Sequence, residues 1–283
     1  MNKKVSCHVI TYNQKDYISN CIDSILMQRT NFPIEIVIGD DNSTDGTREI
    51  IKNYAYEYPD IIKLNLREKR GMGLPGKQNF MTTLEMCSGE YISLCEGDDY
   101  WTDPYKLQKQ VDFLEANQDC NICFHRANML EKGELRLHQM PQEFESKPFK
   151  YIELLEYFNF IMTASVVFRK PENFYLPKWF NTMLIGDMSL YKIVSGTKNI
   201  YCLPEIMSVY RIHDKGVWSG MDQMKSKKRY LEFYRSIFPV LDENEKKVVR
   251  SKVKIVKQEI ARLKFPQNKF LSQIYLKYFS LKL

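Results

Sequence analysis

Apolar and polar residues along this chain follow two alternating periods. Short apolar, β-favouring runs at residues 5–12, 34–39, 61–66 and 91–95 have the length and residue types of buried strands. Between them the apolar residues step by three and four. Residues 17–28 set Ile18, Cys21, Ile22 and Ile25 on one helical face, and residues 106–117 do the same with Leu107, Val111 and Leu114. Helices are also predicted over 47–58 and 76–87. Strand and helix alternating at this spacing mean βαβ units and an α/β fold, a mainly parallel sheet flanked by helices.

The pattern loosens after a strand at 122–125. Residues 131–150 have no clear period and read as a long loop. A helix at 151–158, a strand at 164–168, a helix at 186–194 and two short strands at 200–203 and 207–212 follow. From Met221 onward the period is helical throughout. Asp242-x-x-Glu245 forms a capping box, and Val249, Val253, Val256, Ile260 and Leu263 make one stripe that Pro266 stops. A last segment sets Phe270, Leu271, Ile274, Tyr275, Tyr278 and Phe279 between lysines. The expected division is a nucleotide-binding body, 1–218, and a helical extension, 219–283.

Charge follows the same division. Residues 215–283 hold 17 Lys/Arg and 6 Asp/Glu, a net of +11, whereas residues 1–214 hold 24 and 29, a net of −5. The basic stretch lies on helices with a continuous apolar stripe and carries no base-reading motif, which argues against nucleic acid. It suits an anionic membrane surface, docking on the protein's own body, or a homodimer through the 249–263 stripe. Seven scattered cysteines point to free thiols in a reducing compartment. Cys120 and Cys123 form a lone CxxC without partners for a zinc site. No stretch approaches the ~18 apolar residues of a membrane span. The expectation is a cytoplasmic protein, at most peripheral on the inner face of the membrane.

The candidate chemistry gathers at strand ends. The run from Tyr91 to Cys95 stops at Glu96-Gly97-Asp98-Asp99-Tyr100-Trp101. Carboxylates crowded at the carboxyl edge of an open sheet repel one another unless a cation or donors hold them. Hard Mg²⁺ or Mn²⁺ ions take such oxygens together with phosphate oxygens, so Asp98 and Asp99 are candidates for a metal–diphosphate site. A solvated acidic turn is the plain alternative. Asp40-Asp41-Asn42-Ser43-Thr44-Asp45-Gly46-Thr47 ends the second strand. A carboxylate there can accept the imino N–H of a pyrimidine, although Ser43, Thr44 and Asp45 also suit helix capping.

Gly71-x-Gly73-x-x-Gly76 imitates a dinucleotide fingerprint, with Glu96 about 20 residues beyond. It follows the third strand rather than the first, and Pro75 removes an N–H from the phosphate-binding turn. The better reading is a flexible loop that brings Lys77 and Asn79 to a phosphate or ribose. Asp187 follows Gly186; by residue type it is a helix cap, and as a general base it must reach an acceptor hydroxyl. Arg211 and His213 end a strand in a cationic, aromatic loop that can close over a diphosphate, with His213 also a possible metal ligand.

Taken together, Thr11-Tyr12-Asn13, Asp40-Asp41-Asn42-Ser43-Thr44-Asp45-Gly46-Thr47, Glu96-Gly97-Asp98-Asp99-Tyr100-Trp101, Gly186-Asp187 and Tyr210-Arg211-x-His213 resemble family-2 glycosyltransferases of the A-type fold. The resemblance runs from Val5 to about Trp218. It implies a nucleotide-diphospho-sugar donor, a divalent metal, and inversion at the anomeric carbon. Thr11, Tyr12 and Asp41 would hold the nucleoside, with Asn13 in the same motif. Asp98 would lie at ribose and metal and Asp99 on the metal. Glu96 stands where the family has its usual first carboxylate. Asp187 would be the base, and Arg211 with His213 would clamp the diphosphate. The expected donor is a UDP-sugar and the acceptor a saccharide or lipid-linked saccharide of surface polysaccharide. A sugar-phosphate nucleotidyltransferase and a non-catalytic nucleotide-sugar-binding protein remain as alternatives.

Overall fold

The computed structural model describes residues 3–71, 74, 76–214, 216 and 221–279. Gly73, Pro75 and Trp218, all named above, lie outside them, as does the expected boundary at 218/219. Strands β1 (Val5–Thr11), β2 (Ile34–Asp40), β3 (Ile62–Leu66) and β4 (Tyr91–Glu96) run parallel in the order β3-β2-β1-β4. Successive side chains of a strand point to opposite faces, and here each face has its own core. Val5, Cys7, Val9, Ile36 and Ile38 pack with helices α1 (Ile18–Leu26), α2 (Thr47–Glu57) and α4 (Lys106–Ala116). Val37, Ile92 and Leu94 turn the other way, toward helix α3 (Lys77–Glu85). Both faces being covered explains why these strands read as continuous apolar runs.

The second half of the sheet is mixed. Strand β8 (Val167–Arg169) is antiparallel to β4 and to β6 (Cys120–Glu131), while β9 (Asn199–Ile212) runs parallel to β6 and antiparallel to β5 (Tyr100–Trp101). The expected loop at 131–150 contains β7 (Glu134–Leu137), a hairpin partner of β6. The two short strands expected after residue 199 are one strand. Pro204 and Glu205 drop out of its pairing with β6, where His125 faces Leu203 and Arg126 faces Ile206. A proline without an N–H belongs at such a bulge, so the break in the pattern was not a break in the strand.

The basic extension does not stand apart. Helices α7 (Gln223–Ile237) and α8 (Glu243–Lys264) lay Leu231, Phe233, Ile237, Val249, Val253, Val256 and Ile260 into the same core as α5 (Tyr151–Tyr157) and α6 (Gly186–Ser195). Asp242 caps α8 with the capping-box partner Glu245. Glu245 also accepts both hydrogen bonds of Lys192 from α6, at 2.6 Å each. Of the readings open for the α8 stripe, the structure shows docking on the protein's own body for Val249, Val253, Val256 and Ile260, while Leu263 stays 39% exposed. Helix α9 (Lys269–Phe279) keeps apolar surface open, with Phe270 70% and Leu271 41% exposed.

Candidate active site

Parallel pairing carries three strand ends to one edge. Thr11 faces Asp40 across β1 and β2, and Ile10 faces Glu96 across β1 and β4. Gly97 lets the chain after β4 lie against the β1 loop. A Cβ there would stand 2.6 Å from the Gln14 amide oxygen and 3.0 Å from Thr11 Cβ.

On the β2 side, Asp40 is internal, paired with Arg48 at 2.6 Å and accepting from the Ser43 N–H. Asp41, next to it, faces arginines that the motif reading did not anticipate. Arg67 Nε lies 3.1 Å and Arg70 Nε 3.8 Å from its carboxylate, and Arg70 stacks 3.9 Å over the Tyr12 ring. The basic run Arg67-Glu68-Lys69-Arg70 directly after β3 was the available signal. Asn13 takes a left-handed backbone (φ 52°), donates its N–H to Ser43 Oγ and accepts from the Thr44 N–H. It braces two loops through its backbone N–H and its side-chain carbonyl. Thr11 is buried with its hydroxyl unpaired among the described residues.

At the end of β4, ligand atoms of Glu96, Asp98 and Asp99 all lie within 4.8 Å of one another. Burial, followed by the charges of Asp98 and Asp187, pushes the Glu96 carboxyl up to about 8. Burial and then Asp98 and Glu96 raise Asp99 as well. One oxygen each of Asp98 and Asp99 is buried without a hydrogen-bond partner among the described residues. Buried, unpaired, mutually repelling carboxylate oxygens suit a hard divalent cation. His213 stands just outside this trio, its Nε2 2.9 Å from Asp98 Oδ2 and its ring 4.9 Å from that of Tyr17. Arg211 is a brace rather than a free clamp. Its backbone N–H donates to Asp99 Oδ1 at 2.9 Å, and its guanidinium donates to the Asp98 carbonyl and to Asn20 Oδ1.

Opposite lies Asp187, in the first turn of α6. Oδ1 accepts from the Met188 N–H at 2.8 Å and Oδ2 from Asn159 Nδ2 at 2.5 Å. Burial raises its proton affinity, against the backbone N–H groups and the cations Lys77 and Arg229. Asn159 escaped the sequence reading; a single amide between Phe158 and Phe160 was its only mark. The Gly-rich loop does not deliver its two polar residues as expected. Asn79 is buried and donates to the Gly39 carbonyl at 2.8 Å, tying α3 to β2. Lys77 lies on the Asp187 side, its Nζ 4.0 Å over the Phe180 ring. Trp101 is packing, buried and donating to the Ala164 carbonyl.

The model of the family described as "Glycosyl transferase family 2" matches residues 6–174. The chain belongs to that family. An uncharacterized protein of Mycobacterium tuberculosis is 40% identical over 210 residues, 74% of this chain and 59% of that one. The chain thus spans about three fifths of the length of that relative. TuaG of Bacillus subtilis, a glycosyltransferase provisionally named for teichuronic acid biosynthesis, is 36% identical over 44% of this chain and 47% of its own. Among solved structures, S. aureus TarS in complex with UDP-GlcNAc superposes with a TM-score of 0.66 at 18% identity, covering 96% of this chain and 78% of that one. A mannosyltransferase of Pyrobaculum calidifontis in complex with GDP-Man and Mn²⁺ gives 0.64 at 15%, covering 99% and 80%. At these identities the two structures establish the A-type glycosyltransferase fold that the motifs implied.

Proposed function

We propose that this family-2 protein is an inverting glycosyltransferase that moves a sugar from a UDP-sugar to an acceptor hydroxyl in surface-polysaccharide assembly. The observation that carries the reading is the Glu96–Asp98–Asp99 cluster, in which Asp98 and Asp99 are buried with one unpaired oxygen each, on the strand edge that also carries Asp41 and electrostatically linked to Asp187. The nucleotide complexes of TarS and of the Pyrobaculum enzyme support the donor class. Asp41 is an acceptor for an imino N–H, and Arg70 over Tyr12 is a donor beside it. That set fits the carbonyl–imino–carbonyl edge of uracil.

In the proposed reaction Asp187 accepts the proton of the acceptor hydroxyl. The oxygen attacks the anomeric carbon on the face opposite the diphosphate. The new C–O bond forms as the bond to phosphate breaks, and the electron pair leaves with UDP. Asp98 and Asp99, with Glu96 beside them, would hold Mn²⁺ or Mg²⁺, which supplies charge neutralisation at the leaving diphosphate. Arg211 keeps both aspartates in place, and His213 orients Asp98.

Calorimetric titration with UDP, GDP and NAD, each with Mn²⁺ and with EDTA, tests this reading. UDP should bind in the presence of Mn²⁺ and lose at least tenfold in affinity with EDTA. NAD binding indifferent to metal would refute the nucleotide-sugar site. Preference for GDP would leave the transferase and change the donor.

The proposed site of action is the inner face of the cell membrane, on a lipid-linked saccharide. No helix among the described residues is long and apolar enough to span a bilayer, but α9 offers exposed Phe270 and Leu271 on a stretch rich in Lys/Arg. Removing 221–283 would strip nine core side chains worth roughly 1.5–3 kcal/mol each, so the variant to use lacks only 269–283. It should sediment less with phosphatidylglycerol vesicles than the full chain does, with the difference fading at high salt. Unchanged sedimentation would remove α9 from the membrane reading.

A further inference from the structure

Lys77 was expected at the nucleotide, yet the structure sets it elsewhere. Gly76 adopts φ 71° and turns the chain into α3, of which Lys77 is the first residue. From there the side chain runs inward to the Phe180 ring and the start of α6. A Cβ added to Gly186 would stand 3.2 Å from its Nζ, so the ammonium rests on the backbone directly before Asp187. No hydrogen bond or salt bridge of the Lys77 ammonium is found among the described residues. Its company is an aromatic face, worth about 0.5–2 kcal/mol to a cation, and the charge of Asp187. Burial, partly offset by Asp187, lowers its proton affinity to about 8.

The other charged group that favours the Asp187 carboxylate is Arg229 of α7, whose Nη2 donates to the Leu184 carbonyl at 3.3 Å. Glu96 faces it across the cleft with the opposite effect. Tyr191 of α6, Tyr151 of α5, Tyr230 of α7 and Tyr210 of β9 also feel its charge, and burial raises all four phenols. They are neutral at physiological pH. Lys77 is thus one of the cations whose charge favours a carboxylate that must stay ionised to act as a base.

We infer that Lys77 serves Asp187 rather than the nucleotide, as a positioning residue that keeps the carboxylate ionised and directed into the acceptor side of the cleft. The inference rests on the reading of Asp187 as the base. The bare backbone of Gly186 lets the ammonium approach closely, since a Cβ there would stand 3.2 Å from Nζ. An arginine can keep the charge near Phe180, whereas a methionine keeps only the volume.

The test follows the Asp187 carboxyl carbon by ¹³C NMR as pH is varied, in the full chain and its Lys77→Met and Lys77→Arg variants. The Asp187→Asn variant assigns the signal. Calorimetry of UDP with Mn²⁺ accompanies each. Loss of a nearby opposite charge should raise the Asp187 midpoint by about one pH unit or more in Lys77→Met, with Lys77→Arg close to wild type and UDP affinity within about twofold in both. An unmoved midpoint in Lys77→Met, or a tenfold loss of its UDP affinity, overturns the inference. Should Lys77→Met fail to fold, Lys77→Gln removes the charge while keeping a polar tip and must raise the midpoint in the same direction. The two readings fail separately. Full turnover by Asp187→Asn would remove the base and leave the titration result standing, whereas a dead Asp187→Asn with an unmoved midpoint would remove only the role of Lys77.

Discussion

Sugar transfer by Asp187→Asn is expected to fall about 10²–10⁴-fold, the span of a lost general base, while UDP–Mn²⁺ affinity stays within about twofold. The side chain keeps its volume, and Oδ1 can still accept from the Met188 N–H. The other oxygen becomes an NH₂ aimed at Asn159 Nδ2, its present donor. Asn159 can turn its amide only by giving up the bond that its Oδ1 accepts from the Ile161 N–H at 3.0 Å. A net loss of about 0.5–1.5 kcal/mol is therefore expected in stability, far too little to account for the loss of rate. The pH profile separates base from scaffold. Burial raises the Asp187 proton affinity, so wild-type kcat/KM should decline as pH falls through that raised value and the carboxylate fills with protons. The residual activity of Asp187→Asn should show no such limb. Turnover near wild type would exclude Asp187 as base.

How far this site was legible in advance depended on whether function and local structure leave different marks. The first four parallel strands and their helices were readable because each is a buried run with one period, and their observed ends lie within two residues of the expected ones. The acidic cluster was readable for a physical reason: carboxylates do not gather at a buried strand end unless something offsets their charge. Asp187 was not readable in this way, since capping and catalysis use the same residue at the same helix position. Only the ordered motif set separated them. Lys77 and Asn79 show the opposite failure. A Gly-rich loop suggested a phosphate cradle, but which way a lysine turns is decided by the Phe180 ring and the bare backbone of Gly186, about a hundred residues away in sequence. Arg67 and Arg70 left a mark, the basic run after β3, but not one that pointed to Asp41; Asn159 was invisible because a single polar residue between aromatics is common. The α8 stripe was visible, but not its destination, because an apolar face fits a partner chain, a membrane or the molecule's own core equally well.

Asp99→Asn should abolish metal-dependent UDP binding and, without metal, make the protein more stable than the wild type. Both effects have one cause. Asp99 is fully buried, its Oδ2 has no partner among the described residues, and its neighbours Asp98 and Glu96 repel its charge. Asparagine can keep the acceptor for the Arg211 N–H, now 2.9 Å from Oδ1, while removing the charge that a divalent ion needs. The pH dependence has a definite sign. A carboxyl whose folded proton affinity exceeds its unfolded value contributes stability that is full below the unfolded pKa and is lost as pH rises through the folded one. Glu96, raised from 4.5 to about 8, places that loss between about pH 4.5 and 8. The Tm of the metal-free wild type should therefore fall across this window, and Mn²⁺ should restore it toward the alkaline end, where the carboxylates give up their protons. In Asp99→Asn the fall should be shallower, because one source of repulsion on Glu96 is gone, and Mn²⁺ should no longer move the curve. At neutral pH without metal the variant should melt several degrees higher, at about 2–4 °C per kcal/mol for a chain somewhat smaller than this one. A wild-type Tm insensitive to Mn²⁺ across the whole window, with Asp99→Asn melting lower than wild type, would make the cluster a structural acidic turn and would remove the cation from the proposed reaction.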